Sequence, residues 1–264
     1  VLPKESLLQR FTDQSQYNSV PVILGTNRDE SKVFMSQDPE YVAQWFGVIP
    51  RIKDLDIYNN SAAYLSGLWK ALAVDEPAKV LSQTQGNVYA YRFDWDESPS
   101  TWLVDFPNLL GAGHGLEISY VFGDFEGGIS IPFLLSEENE PGRLALSRSM
   151  MSYWSEFAYS GDPGSGRSAE EVPWTAWNND GDKTILFDTQ AGGGIRMSDE
   201  LLGAQSIKHR LLHDVLITEQ QDRCRWYANL FLHTTQVTDF WQRDEYESFG
   251  QGGCKDYDPR AFTP

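Results

Sequence analysis

Apolar and polar positions along the chain fall into short blocks with two periods. Pro21-Val22-Ile23-Leu24-Gly25 is a continuous apolar run, rich in β-branched residues and closed by glycine, which predicts a buried strand. From Asp29 through Met35, acidic residues stand in front of an apolar face, and this predicts a helix start. Residues 59–74 carry apolar side chains at helical spacing, with Pro77 just beyond the predicted end. Asn87 to Trp95 alternates, with Val88, Ala90 and Phe93 set between tyrosines and Arg92, and predicts an aromatic-rich strand. After Pro107 a glycine-rich bend, Gly111-Ala112-Gly113-His114-Gly115, leads into a short helix from Leu116 to Phe122. Leu144 to Tyr159 is the clearest amphipathic segment, stopped by Gly161-Asp162-Pro163. Thr184-Ile185-Leu186-Phe187 reads as a strand after the turn Asn179-Asp180-Gly181-Asp182, and Thr218 to His233 as a last long helix. Strands alternating with helices predict an α/β fold, a mostly parallel central sheet flanked by helices. No repeat and no Pro/Gly linker divides it.

Composition narrows the function classes. The chain has 264 residues, enough for a large core, and 41% hydrophobic with 22% charged residues is an ordinary globular balance. Lys and Arg total 21 against 38 Asp and Glu, a net charge of −17. Such a surface repels phosphate backbones and anionic lipid, which argues against nucleic-acid and membrane-surface roles. No apolar run approaches the roughly 20 residues of a membrane-spanning helix. Val1 is not an initiator methionine, and Val1-Leu2-Pro3-Lys4 does not open like a signal peptide, so either a segment has been removed or the chain is a piece of a longer one. Cys224 and Cys254 are the only two cysteines. They are either two free thiols or a disulfide stapling the Gly250-Gln251-Gly252-Gly253 tail, and the polar, glycine-rich tail favours the staple.

Candidate chemistry begins with His114. The glycines at 111, 113 and 115 let the backbone turn sharply and present the imidazole from a loop, where a group that titrates near neutrality suits acid–base work. The competing reading is a turn histidine with no task. Asp29-Glu30 follows the strand 21–25 and its Gly25-Thr26-Asn27 bend. Functional groups gather past the carboxyl ends of parallel strands, so an acid there can orient a histidine; alternatively both simply sit in a helix's first turn. His209 and His213 are spaced i, i+4 but lack an adjacent Glu, and read as structural rather than metal-binding. Asn59-Asn60-Ser61 is a formal glycosylation sequon. No Gly-x-Ser-x-Gly occurs, so the chain has no nucleophile elbow of its own.

Three stretches, taken together and in order, resemble the C-terminal portion of type B carboxylesterases, the cholinesterase-like branch of the α/β-hydrolase superfamily. Val20 to Glu30 looks like the family's strand and acid turn, Gly111 to Gly123 like its histidine loop, and Leu146 to Ala158 with Gly161-Asp162-Pro163 like the long helix and exit turn. The resemblance covers most of the chain up to about Asp188. It implies Glu30 as the acid and His114 as the general base of a Ser-Glu-His triad, in the family's chain order. Ser31 departs from the family's usual glycine after the acid. Leu2 and Pro3 already fall shortly before the acid strand, so the serine and oxyanion loop are expected upstream of Val1. The N-terminal portion of the same hydrolase is thus an expected partner, the substrate an ester, and no cofactor is needed. The resemblance also implies a structural role for Glu117 and a periplasmic or secreted location. Tyr89, Tyr91, Phe93, Trp95 and Trp102 are candidates for lining a pocket, with core packing as the alternative. A non-catalytic cholinesterase-like binding or adhesion module is the competing function. Half of such a sheet would leave an unpaired strand edge and an apolar face.

Overall fold

A computed structural model describes residues 7–126, 131–233 and 240–262. Residues 1–4, read above for their lack of an export signal, lie outside the described residues. In chain order the elements are α1 (Leu7–Phe11), β1 (Val22–Asn27), α2 (Lys32–Met35), β2 (Val42–Trp45), β3 (Ile49–Ile52), α3 (Leu55–Lys70), α4 (Glu76–Leu81) and β4 (Val88–Phe93). They continue with α5 (Phe106–Leu109), α6 (Glu117–Phe122), α7 (Glu140–Ser160), β5 (Thr184–Phe187), β6 (Arg196–Ser198), α8 (Ala204–His213), α9 (Gln220–Ala228) and α10 (Arg243–Glu247).

The main sheet has the order β1-β4-β5-β6. β1, β4 and β5 run parallel and β6 is antiparallel, so the expected mostly parallel sheet with flanking helices is present. Register explains where function collects. Asn27 is level with Phe93, and Phe93 with Phe187, so the carboxyl ends of three strands finish on one line. Arg28 N then donates to Phe93 O (2.9 Å) and Asp94 N to Phe187 O (2.9 Å), which fixes the first residues past each strand as well. Gly25 is required where it stands, because a Cβ there would overlap the Tyr91 ring.

The core is dominated by aromatics. Tyr89, Phe93, Trp95, Tyr120, Tyr153, Trp174 and Phe187 are buried together against the sheet, with Trp174 edge-on to Phe187 at 5.4 Å. A second cluster joins α3, α8 and α9 to the tail through Tyr64, Leu68, Leu211, Tyr227 and Phe231. The disulfide Cys224–Cys254 lies within it, with Cα atoms 5.6 Å apart and both residues fully buried.

Several element boundaries differ from the sequence reading, each for a local reason. The helix expected over 59–74 starts at Leu55, because Asp54 caps it by accepting from Ile57 N (3.0 Å). It also does not stop before Pro77: Ala71–Asp75 form a π-helical turn, and Pro77 sits in the first turn of α4, where a missing N–H costs nothing. α2 is a single turn beginning at Lys32, so Asp29 and Glu30 precede the helix and do not form its first turn. The hairpin β2–β3 has no counterpart in the sequence reading.

Candidate active site

The turn after β1 and the loop before α6 meet at the carboxyl edge of the sheet, 84 residues apart in sequence between Glu30 and His114. Glu30 is 4% exposed, and its Oε1 accepts from Asn27 N (2.7 Å) and Thr26 Oγ1 (3.2 Å). These bonds hold one carboxylate oxygen and aim the other. Oε2 lies 2.7 Å from His114 Nδ1. The imidazole side chain is 46% exposed, so the ring is anchored at Nδ1 and partly open to solvent.

Neighbouring residues stitch the two loops together. Asp29 N donates to Ala112 O (3.0 Å), and Asp29 Oδ2 accepts from Ala112 N (3.1 Å). Asp29 is in turn flanked by Arg28 (3.0 Å) and by Lys32 (3.3 Å). Asn27 Nδ2 donates to Gly113 O (2.7 Å) and to Glu117 Oε2 (2.5 Å). Residues 29, 27 and 30 thereby hold residues 112, 113 and 114 in turn. The loop can approach this closely because Gly111 has φ +52° and a Cβ there would overlap Asp29 Oδ2. Burial pushes the Glu117 carboxyl above its ordinary value, and the charge of Glu30 adds to this, against the opposing bond from Asn27.

Two aromatic rings flank the imidazole. Phe34 lies 5.4 Å and Trp69 5.2 Å from it, centroid to centroid, and the two rings stack at 6.4 Å. Behind them a cavity of about 330 Å³ is lined by Ser31, Met35, Leu65 and Leu68 among others, and presents an apolar wall. The sequence reading singles out neither ring, although Phe34 stands four residues after the acid. Its pocket candidates are instead Tyr89, Tyr91, Phe93, Trp95 and Trp102. Tyr89, Phe93 and Trp95 are core, Tyr91 is packed edge-on to Trp154, and Trp102 is 86% exposed.

The remaining candidates fall away from this site. His209 and His213 stack on one exposed face of α8, with His213 Nδ1 2.9 Å from His209 O. Among the described residues no group of three or more His, Cys, Asp or Glu could hold a metal ion. Nor, among them, is any helix long and apolar enough to cross a membrane. Asn59 of the sequon lies within α3 with its Oδ1 buried.

Comparison with known proteins supplies the family. A sequence profile of the Carboxylesterase family matches residues 56–205, which include the histidine loop. The chain is 26% identical over 201 residues to para-nitrobenzyl esterase of Bacillus subtilis (strain 168), covering 72% of this chain and 38% of that protein. It is 38% identical over 92 residues to acetylcholinesterase of Gallus gallus, covering 35% of this chain and 11% of that protein. A solved structure of PNB esterase superposes with a TM-score of 0.51 at 23% identity, over 72% of this chain and 38% of that one, and shares the fold. The chain thus spans well under half the length of the relatives it matches. With the α/β-hydrolase sheet and a family match over more than half of its residues, the chain belongs to the carboxylesterase family.

Proposed function

We propose that the protein is a serine carboxylic-ester hydrolase, and that this chain is the C-terminal portion of its single catalytic domain. In this reading His114 is the general base and Glu30 the acid that orients it. The serine nucleophile and the oxyanion-hole amides come from the N-terminal portion of the same hydrolase. The observation that carries the reading is the 2.7 Å contact between Glu30 Oε2 and His114 Nδ1, with the acid buried and the imidazole open.

The chemistry follows from those two groups. Glu30 fixes the tautomer with the proton on Nδ1, which leaves Nε2 free to accept the serine proton as the hydroxyl attacks an ester carbonyl. The imidazolium so formed is stabilised by the buried carboxylate until it passes the proton to the leaving alcohol. Water then repeats the sequence on the acyl-enzyme. The apolar wall behind Phe34 and Trp69 favours esters with an apolar group on one side of the carbonyl. Absorption of Cys224 and Cys254 into a buried disulfide supports an oxidising location, periplasmic or secreted.

The test is carried out on the complete protein. His114→Ala is expected to lower turnover of p-nitrophenyl acetate by at least about 10³-fold, and Glu30→Gln by about 10²–10⁴-fold, each with an unchanged unfolding midpoint. A fluorophosphonate is expected to add to one serine outside residues 1–264, located by intact and peptide mass. Wild-type turnover in His114→Ala, or no adduct on any serine, would overturn the assignment; the latter result favours a binding module.

A further inference from the structure

We propose that Asn27 is a positioning residue of the hydrolytic site, the group that sets the height and tilt of the His114 loop relative to Glu30. This rests on the reading of His114 and Glu30 given above. Asn27 ends β1 and is 2% exposed, so its position is set by the sheet, where it is level with Phe93. Three bonds leave it. Its backbone N holds Glu30 Oε1 at 2.7 Å, one amide bond holds Gly113 O at 2.7 Å, and the other holds Glu117 Oε2 at 2.5 Å.

Gly113 is the residue before His114, so its carbonyl belongs to the peptide plane that carries the histidine nitrogen. Fixing that oxygen orients the peptide plane that carries His114 N and Cα, the base from which the Cα–Cβ bond leaves the chain. Asn27 therefore grips the Glu30 carboxylate and the His114 peptide at once, from one rigid strand end. Asp29, itself paired with Arg28 and Lys32, braces the same loop one residue earlier, at Ala112, whereas the Gly113 carbonyl is held by Asn27. Among the short polar side chains, an amide is the one that supplies two donors here. A carboxylate would turn an acceptor toward two acceptors, and a hydroxyl has one proton for two of them. Among the described residues Asn27 Oδ1 is buried without a hydrogen-bond partner, a penalty the residue bears while both of its N–H groups are engaged.

The experiment compares Asn27→Asp, Asn27→Ser and the double variant Asn27→Asp with Glu117→Gln in the complete protein, with His114→Ala as the reference for loss of the site. Asn27→Asp is expected to lower kcat about 10–100-fold with KM changed by less than about threefold, since displacement of a reacting group by about 1 Å costs that much. The deficit of Asn27→Asp relative to wild type is expected to shrink as pH falls, because protonation of the introduced carboxyl restores one donor. The double variant, which removes the facing carboxylate and supplies an amide, is expected to recover part of kcat at neutral pH. Wild-type kcat in the folded Asn27→Asp and Asn27→Ser variants would overturn the proposal. So would a loss that ignores both pH and Glu117→Gln, or failure of every Asn27 variant to fold, since either makes the residue purely structural. An active His114→Ala would instead overturn the underlying reading of the site, independently of Asn27.

Discussion

Glycines 111 and 115 look equivalent in sequence but do different work. Both have positive φ, +52° and +81°, and a side chain at either pays for a left-handed backbone. At Gly115 the added Cβ meets only Ile118 Cδ1 at 4.0 Å, whereas at Gly111 it overlaps the Asp29 carboxylate. Gly111→Ala is therefore expected to lower stability by about 2–3 kcal/mol and Gly115→Ala by about 1–2 kcal/mol, read by urea unfolding of the complete protein. Equal losses would mean that the Asp29 contact with the loop is dispensable. Asp188 supplies a pH dependence at the same edge of the sheet. Burial, then the nearby charges of Asp94 and Asp96, push its carboxyl up from 3.8 to about 6, although Thr189 N donates to it. The folded state thus binds this proton more tightly than the unfolded one. Its contribution to stability is fully present below about pH 3.8 and is lost as pH rises through about 6. Asp188→Asn, which keeps the acceptor for Thr189 N, is expected to gain about 1–3 kcal/mol at pH 7.5 and almost nothing at pH 3.5. A gain that is the same at both pH values would refute the assignment of this charge.

The legibility of each element follows how local its signals are. β5 spans the same four residues in sequence and structure, because the turn before it and its β-branched and aromatic residues act within a few positions. α7 runs Glu140–Ser160 and ends at Gly161, φ +80°, the C-cap that the glycine predicts. The junction of α3 and α4 is illegible in sequence because it is a π turn, an insertion that leaves no composition signal. The disulfide could be paired only one way, yet whether it forms depends on packing. α9 and the tail bring the two sulfurs together inside the cluster around Tyr227 and Phe249. Cys224→Ser with Cys254→Ser is expected to cost about 2–4 kcal/mol through release of the intervening loop, visible as a lower unfolding midpoint. An unchanged midpoint would show that the tail is held by Tyr227 and its neighbours alone.

Across the whole molecule, charge and sheet topology set how the chain can associate. β1 is an edge of the four-stranded sheet, next to β4 alone among the described residues, and it carries the acid turn at its end. An upstream strand pairing with that edge would bring its own carboxyl end to the line of Asn27, Phe93 and Phe187, beside His114. Residues 1–264 expressed alone are accordingly expected to show no ester turnover and a concentration-dependent size in sedimentation velocity, through the open edge and in spite of a net charge of −17. A monodisperse monomer at every concentration would count against that edge being an interface. What the sequence determined by itself was the set of local devices: the β-branched strand, the three glycines around His114, the helix stops, and the order of acid before histidine. These act through backbone preferences within a few residues. Residue spacing left Asp29 and Glu30 open and the family resemblance pointed to Glu30; only the tertiary structure decided that Glu30 meets the imidazole while Asp29 holds Ala112, that Asn27 ties the two loops, and that Phe34 and Trp69 flank the ring. The first two depend on the register of β1 against β4 and on the direction a side chain leaves a turn, the last also on where the end of α3 places Trp69, and contacts closed across tens of residues of chain leave no periodicity to read.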